Sequence, residues 1–160
     1  MSETSRPYRV RRRTAAAAAG SLAVIVLAIA TYMALNTGGA AVAIVQKTAT
    51  SKDGTLVAYE RTGTGPVAIL VACALADRAG TTGLAKSLAG HFTVVNYDRR
   101  GRGKSTDTQP YAVEREVEDI DALIGASGGS AFVFGSSSGA VLALEAASKL
   151  GSKVTKLFLY

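Results

Sequence analysis

The feature that most constrains this chain is an apolar run that never alternates. Val67–Cys73 reads VAILVAC. Successive side chains on a strand point to opposite faces, so such a run is stable as a strand only where both faces of the sheet are covered. Three more β-rich runs follow, Phe92–Tyr97 (FTVVNY), Ala131–Phe134 (AFVF) and Val154–Tyr160 (VTKLFLY). The segments between them have helical period. Arg78–Ala89 carries Leu84 and Leu88 four apart. Tyr111–Ile124 puts Val113, Val117, Ile120 and Ile124 on one face and Glu114, Glu116, Glu118, Asp119 and Asp121 on the others. Gly139–Leu150 is apolar and Ala-rich, and Gly151 ends it. Strands alternating with helices imply parallel pairing through right-handed crossovers. The expected fold is therefore α/β, a doubly wound, mostly parallel sheet. Ahead of it, Val42–Thr50 and Leu56–Arg61 flank Asp53-Gly54, a dipeptide that tolerates positive φ, and read as an antiparallel hairpin.

The formal net charge of +6 is unevenly spread. Residues 1–13 hold Arg6, Arg9, Arg11, Arg12 and Arg13 against Glu3, whereas the remainder carries 13 basic and 11 acidic side chains. That balance suits an ordinary surface, and no nucleic-acid partner is expected. One Cys and one His exclude an internal disulfide and a structural zinc, and no metal or cofactor is expected. Thr14–Leu35 (TAAAAAGSLAVIVLAIATYMAL) is uncharged, and a helix of that length spans a hydrocarbon core of about 30 Å. The Arg cluster before it keeps the N-terminus cytoplasmic. The expected organisation is a basic cytoplasmic arm (1–13), a transmembrane helix or signal segment (14–35), a linker (36–44) and an α/β domain (45–160) on the extracytoplasmic side. A cleaved signal peptide is the alternative, with Leu22–Leu35 as its apolar region and Ala41-Val42-Ala43 as a small-residue site, and it implies secretion.

The chemistry sits in Gly135-Ser136-Ser137-Ser138-Gly139, a G-x-S-x-G spacing between an apolar strand and a helix. A nucleophilic serine at the middle position needs a sharp strand-to-helix turn, and glycines two residues to either side remove the side chains that would collide there. The helix that follows offers its N-terminal dipole and unpaired backbone N–H groups to a developing oxyanion. The plainer alternative is a Gly/Ser loop serving only as a helix cap.

Together with Tyr97-Asp98-Arg99-Arg100-Gly101-Arg102-Gly103-Lys104-Ser105 after the fourth strand, this arrangement resembles the α/β-hydrolase fold family from about residue 45 onward. Asp98, Arg100, Gly101, Gly103 and Ser105 match the family's D-x-R-G-x-G-x-S position for position. The resemblance implies a serine hydrolase that cleaves an ester, lactone or similar bond of a small-molecule substrate through an acyl-enzyme on Ser137. Its oxyanion hole would use the backbone N–H groups of Ser138 and, after the third strand, Ala74. Where the family commonly has His-Gly in that loop, this chain has Ala72-Cys73.

The family's order is nucleophile, acid, histidine, but no Asp, Glu or His follows Glu145. The single histidine, His91, precedes the fourth strand, on the sheet edge opposite Ser137. A serine without a base is a poor nucleophile. The expectation is a truncated N-terminal portion of a hydrolase domain, inactive by itself. Two other readings compete. One is a non-catalytic, membrane-anchored remnant of such a domain. The other is a degenerate P-loop at Gly103-Lys104-Ser105, which has Asp98 where the first glycine belongs. The Arg-rich loop itself reads as an anion-binding turn or, more simply, as a turn whose arginines pair with the acidic helix at 114–121.

Overall fold

In a computed structural model, which describes residues 43–160, the apolar runs form the middle of one six-stranded sheet. The strands are β1 (Val45–Thr50), β2 (Leu56–Thr62), β3 (Val67–Val71), β4 (Thr93–Tyr97), β5 (Ala131–Gly135) and β6 (Val154–Leu159), in spatial order β1-β2-β4-β3-β5-β6. The hairpin strands β1 and β2 pair antiparallel, and β2 runs antiparallel to β4, whereas β4, β3, β5 and β6 are mutually parallel. The sheet is thus mixed at one side and parallel through its centre.

VAILVAC occupies that centre. Ile69 lies beside Val95 on one neighbour and Val133 on the other, and all three are fully buried. Alternation then divides the run between two cores. Ile69 and Val71 face α2 (Val113–Gly125) and α3 (Ser138–Leu150), packing with Ile120, Leu123, Ile124, Leu142 and Ala143. Leu70 and Val94 face the short helix α1 (Thr82–Leu88), meeting Ala85, Leu84 and Leu88. Helices on both faces are what an uninterrupted apolar strand requires.

Some boundaries differ from the sequence reading, for local reasons. Arg78–Thr81 is a 3-10 turn ahead of α1, with the Asp77 carboxylate accepting from Ala79 N–H at 2.8 Å. The acidic helix starts at Val113 rather than Tyr111, since Ala112 is extended and the Tyr111 hydroxyl donates to Glu116 at 3.0 Å. No helix among the described residues is long and apolar enough to cross a membrane. The segment 14–35 and the arm 1–13 lie outside the described residues, as does most of the linker 36–44.

One ion network ties the hairpin to the rest. Gly54 takes φ +86° in the turn, and the Asp53 carboxylate accepts from Thr55 N–H at 3.0 Å. Arg100, fully buried, donates to Asp53 at 2.8 Å and forks onto Asp119 of α2 at 2.8 and 2.7 Å. The bonded Arg100 holds the Asp53 carboxyl well below the usual carboxylate range, against the opposing effect of burial. A carboxyl depressed in the folded state stabilises it above its unfolded pKa of about 3.9 and stops doing so as pH falls below that value. Asp53→Asn is expected to cost about 1–3 kcal/mol at pH 7. In urea titrations the gap between wild type and variant should narrow from about pH 4 downward.

Candidate active site

The strand-to-helix turn after β5 carries the one non-glycine residue with positive φ among the described residues. Ser137 has φ +53° and ψ −123°, a conformation that costs on the order of 1–3 kcal/mol for a residue with a side chain. The flanking glycines show what holds it there. A Cβ on Gly135 would run into the backbone of Gly139 and come within 2.6 Å of Ala140 Cα. A Cβ on Gly139 would strike the carbonyl of Val71 and lie 2.6 Å from that of Ala72. The first glycine lets α3 approach its own strand, and the second lets α3 approach the end of β3.

Hydrogen bonds fix the turn from both sides. Ser136 N–H donates to Val71 O at 3.1 Å, Ser137 N–H to Tyr160 O at 2.7 Å, and Tyr160 N–H back to Gly135 O at 3.0 Å. The Ser137 side chain makes no capping bond to α3 and is exposed, so the cap-only alternative does not describe it. The N–H groups of Gly139 and Ala140 go to Ser136 O and Ser137 O, each at 2.8 Å, which leaves that of Ser138 without a backbone acceptor among the described residues.

The loop after β3 comes to the same place. Ala74 N–H donates to Ser138 Oγ at 2.8 Å, which places Ala74 beside Ser138 and so next to the Ser137 turn. Two arginines grip this loop through its carbonyls, Arg99 on Ala72 O at 3.3 Å and Arg102 on Ala74 O at 2.9 Å. Arg99 is itself held by a two-pronged pair with Glu116 of α2, at 2.6 and 2.5 Å. Burial works against its charge, but the Glu116 carboxylate more than offsets that and leaves the guanidinium above its ordinary range. Arg99 and Arg100 thus do pair with the acidic helix. The grip of Arg99 and Arg102 on the loop beside Ser137 was not readable from the sequence, since it depends on where the loop after β3 runs.

The D-x-R-G-x-G-x-S residues build the loop that carries those arginines. Asp98 accepts from Arg78 N–H and Lys104 N–H, each at 2.9 Å, and Gly103, at φ +49°, sits so close to the Asp98 carboxylate that a Cβ would be 2.6 Å from Oδ1. Ser105 donates to Asp98 O at 2.6 Å and accepts from Ala58 N–H of β2 at 2.9 Å.

That geometry overturns the P-loop reading. A phosphate cradle needs free N–H groups at a helix start, but Lys104 N–H is committed to a carboxylate, and no helix begins until Val113. Among the described residues, no group of three or more His, Cys, Asp or Glu is placed to hold a metal. Cys73 is partly buried and unpaired. His91 is exposed at the start of β4, the opposite end of the parallel strands from Ser137, a separation of about 15 Å along five residues.

A polar cleft of about 150 Å³ opens beside the loop, lined by Ala74, Arg99, Arg102, Asp107, Tyr111 and Glu116 among others. Burial and the Glu116 carboxylate push the Tyr111 phenol above its ordinary value. A larger apolar hollow, about 440 Å³, lies on the α1 face against Leu70, Phe134 and Phe158, and Ser137 does not line it. Gly139→Ala is expected to cost at least about 3 kcal/mol, because backbone on both sides of the contact must move. Thermal unfolding should show the loss, whereas Ala140→Gly, inside α3, should cost only about 1 kcal/mol.

A family model described as "Alpha/beta hydrolase family" matches residues 68–159. The chain is 38% identical over 96 residues to the uncharacterized hydrolase YraK of Bacillus subtilis, covering 58% of this chain and 35% of that protein. It is 35% identical over 75 residues to the proline iminopeptidase PfmaB of Pestalotiopsis fici, covering 45% of this chain and 27% of that protein. Among solved structures, an alpha/beta hydrolase from Sphaerobacter thermophilus is similar with a TM-score of 0.68 and 58% identity, over 71% of this chain and 44% of the other. The chain therefore spans about a third of the length of these curated relatives.

Proposed function

Because the chain belongs to the alpha/beta hydrolase family, we propose that it is a serine hydrolase that opens an ester, lactone or similar bond of a small molecule through an acyl-enzyme on Ser137. The observation that carries this reading is the strained Ser137, presented on a turn that only glycines at 135 and 139 allow. Strain of that kind persists where the surroundings over-determine it, and it clusters at reacting groups.

In this reading, Ser137 Oγ adds to the substrate carbonyl carbon, and the carbonyl oxygen becomes an oxyanion that accepts from Ala74 and Ser138 N–H. Collapse expels the alcohol and leaves the acyl group on Ser137, and water then releases the acid. Each addition needs a base to take a proton. None of the described side chains supplies one at Ser137, and His91 lies at the far edge of the sheet. We therefore expect residues 1–160 by themselves to turn over no ester.

A non-catalytic module is the competing reading, since no described side chain stands as a base beside Ser137. A fluorophosphonate probe on the native gene product separates the two. Labelling that disappears in Ser137→Ala supports the hydrolase, and no labelling of a folded native protein supports the non-catalytic module.

We also propose that residues 14–35 cross a membrane, with the hydrolase domain on the extracytoplasmic side, on the strength of an uncharged 22-residue run preceded by five arginines. Alkaline carbonate should leave the protein with the membranes. Release into the supernatant, with an intact mass that starts beyond Ala43, would instead mark the segment as a cleaved signal.

A further inference from the structure

We infer that the Ser138 hydroxyl is a built-in occupant of the oxyanion site, one that a substrate must displace before Ser137 can react. This rests on the reading of Ser137 as the nucleophile. An oxyanion must lie about 2.7–3.1 Å from its donors. Ser138 Oγ already stands 2.8 Å from Ala74 N, one of the two donors, and it belongs to the very residue whose backbone N–H is the other. Substrate oxygen and Ser138 Oγ therefore compete for one N–H.

The Ala74 side of the contact is poorly able to give way. Its carbonyl is held by Arg102 Nε at 2.9 Å, and the Ala72 carbonyl just upstream by Arg99, itself locked to Glu116. Ser138 is exposed and opens α3, so its side chain can turn to another staggered position without disturbing packing. The moving part is thus a single torsion of Ser138. In the resting protein the bond keeps Ala74 N–H satisfied and the loop in shape, and substrate binding is coupled to the rotation that breaks it.

Two measurements on the native gene product test this in wild type, Ser138→Ala, Ser138→Thr and Ser137→Ala. The first is hydrogen exchange at the Ala74 amide, and the second is the rate constant of fluorophosphonate labelling. Ser138→Ala should exchange Ala74 several-fold faster and label about two- to tenfold faster, the factor that one net intramolecular hydrogen bond represents. Ser138→Thr, which keeps a hydroxyl to accept from Ala74 N–H, should hold the Ala74 exchange rate close to that of wild type. A gain in rate is a result that mere structural damage would not produce. Unchanged Ala74 exchange in Ser138→Ala overturns the inference. So does labelling that is equal or slower, the slower case meaning that the hydroxyl assists the oxyanion instead. Absence of labelling in wild type, or labelling that survives Ser137→Ala, defeats the Ser137 reading itself, and the competition falls with it.

Discussion

Everything at the candidate site depends on one close approach, the backbone of α3 at Gly139 against the carbonyls that end β3. The helix can come that near only because Gly139 has no side chain, and it can leave β5 at that angle only because Gly135 has none. The contact has three consequences. It forces Ser137 into positive φ and presents its hydroxyl to solvent. It leaves the first N–H of α3, that of Ser138, without a backbone acceptor among the described residues. It also draws the loop after β3 in beside Ser138, so that Ala74 N–H and Ser138 Oγ meet.

The second dependency is electrostatic. Arg99 and Arg100 leave the end of β4 as neighbours and take separate partners on α2, Glu116 and Asp119. Desolvating such ions is expensive, and a buried pair is weak grounds for stability. What these pairs supply is position. Arg100 fixes the hairpin turn to α2 through Asp53, and Arg99 connects α2 to the loop beside Ser137 through Ala72 O. The Asp98 carboxylate organises the segment that carries them by taking two backbone N–H groups. The motif around residues 98–105 is therefore a scaffold for the site.

Much of the fold was legible because its signals are local. Seven apolar residues in VAILVAC can only be a strand covered on both faces, and Ile69 and Leu70 duly enter opposite cores. Leu84 and Leu88, four apart, share a helical face, and both pack against the sheet. Asp53-Gly54 specified the hairpin turn through the backbone freedom of glycine. The antiparallel pairing of β2 with β4 was not legible, since it joins strands 30 residues and more apart by hydrogen bonds that depend on no particular side chain. The late start of the acidic helix was hidden too, because Pro110 allows a helix from Tyr111 onward, and only the structure shows Ala112 extended and the Tyr111 hydroxyl spent on Glu116.

For the site, the position of the candidate nucleophile, Ser137, was legible in the sequence. Glycines at 135 and 139 around Ser137, between a strand and a helix, mark a sharp turn, and the crowding that Gly135 relieves, against Gly139 and Ala140, acts within five residues. The sequence also determined that Ala74 and Ser138 are the candidate donors, once a known motif was matched. Only the tertiary structure decided which groups touch. Arg99 and Arg102 reach across from another loop to hold Ala72 and Ala74, and Ser138 Oγ rather than solvent takes the Ala74 N–H. The physical reason is range. Backbone strain and periodicity are written into neighbouring residues, whereas a hydrogen bond between residues 74 and 138 exists only after β3 and β5 have paired and brought their ends together.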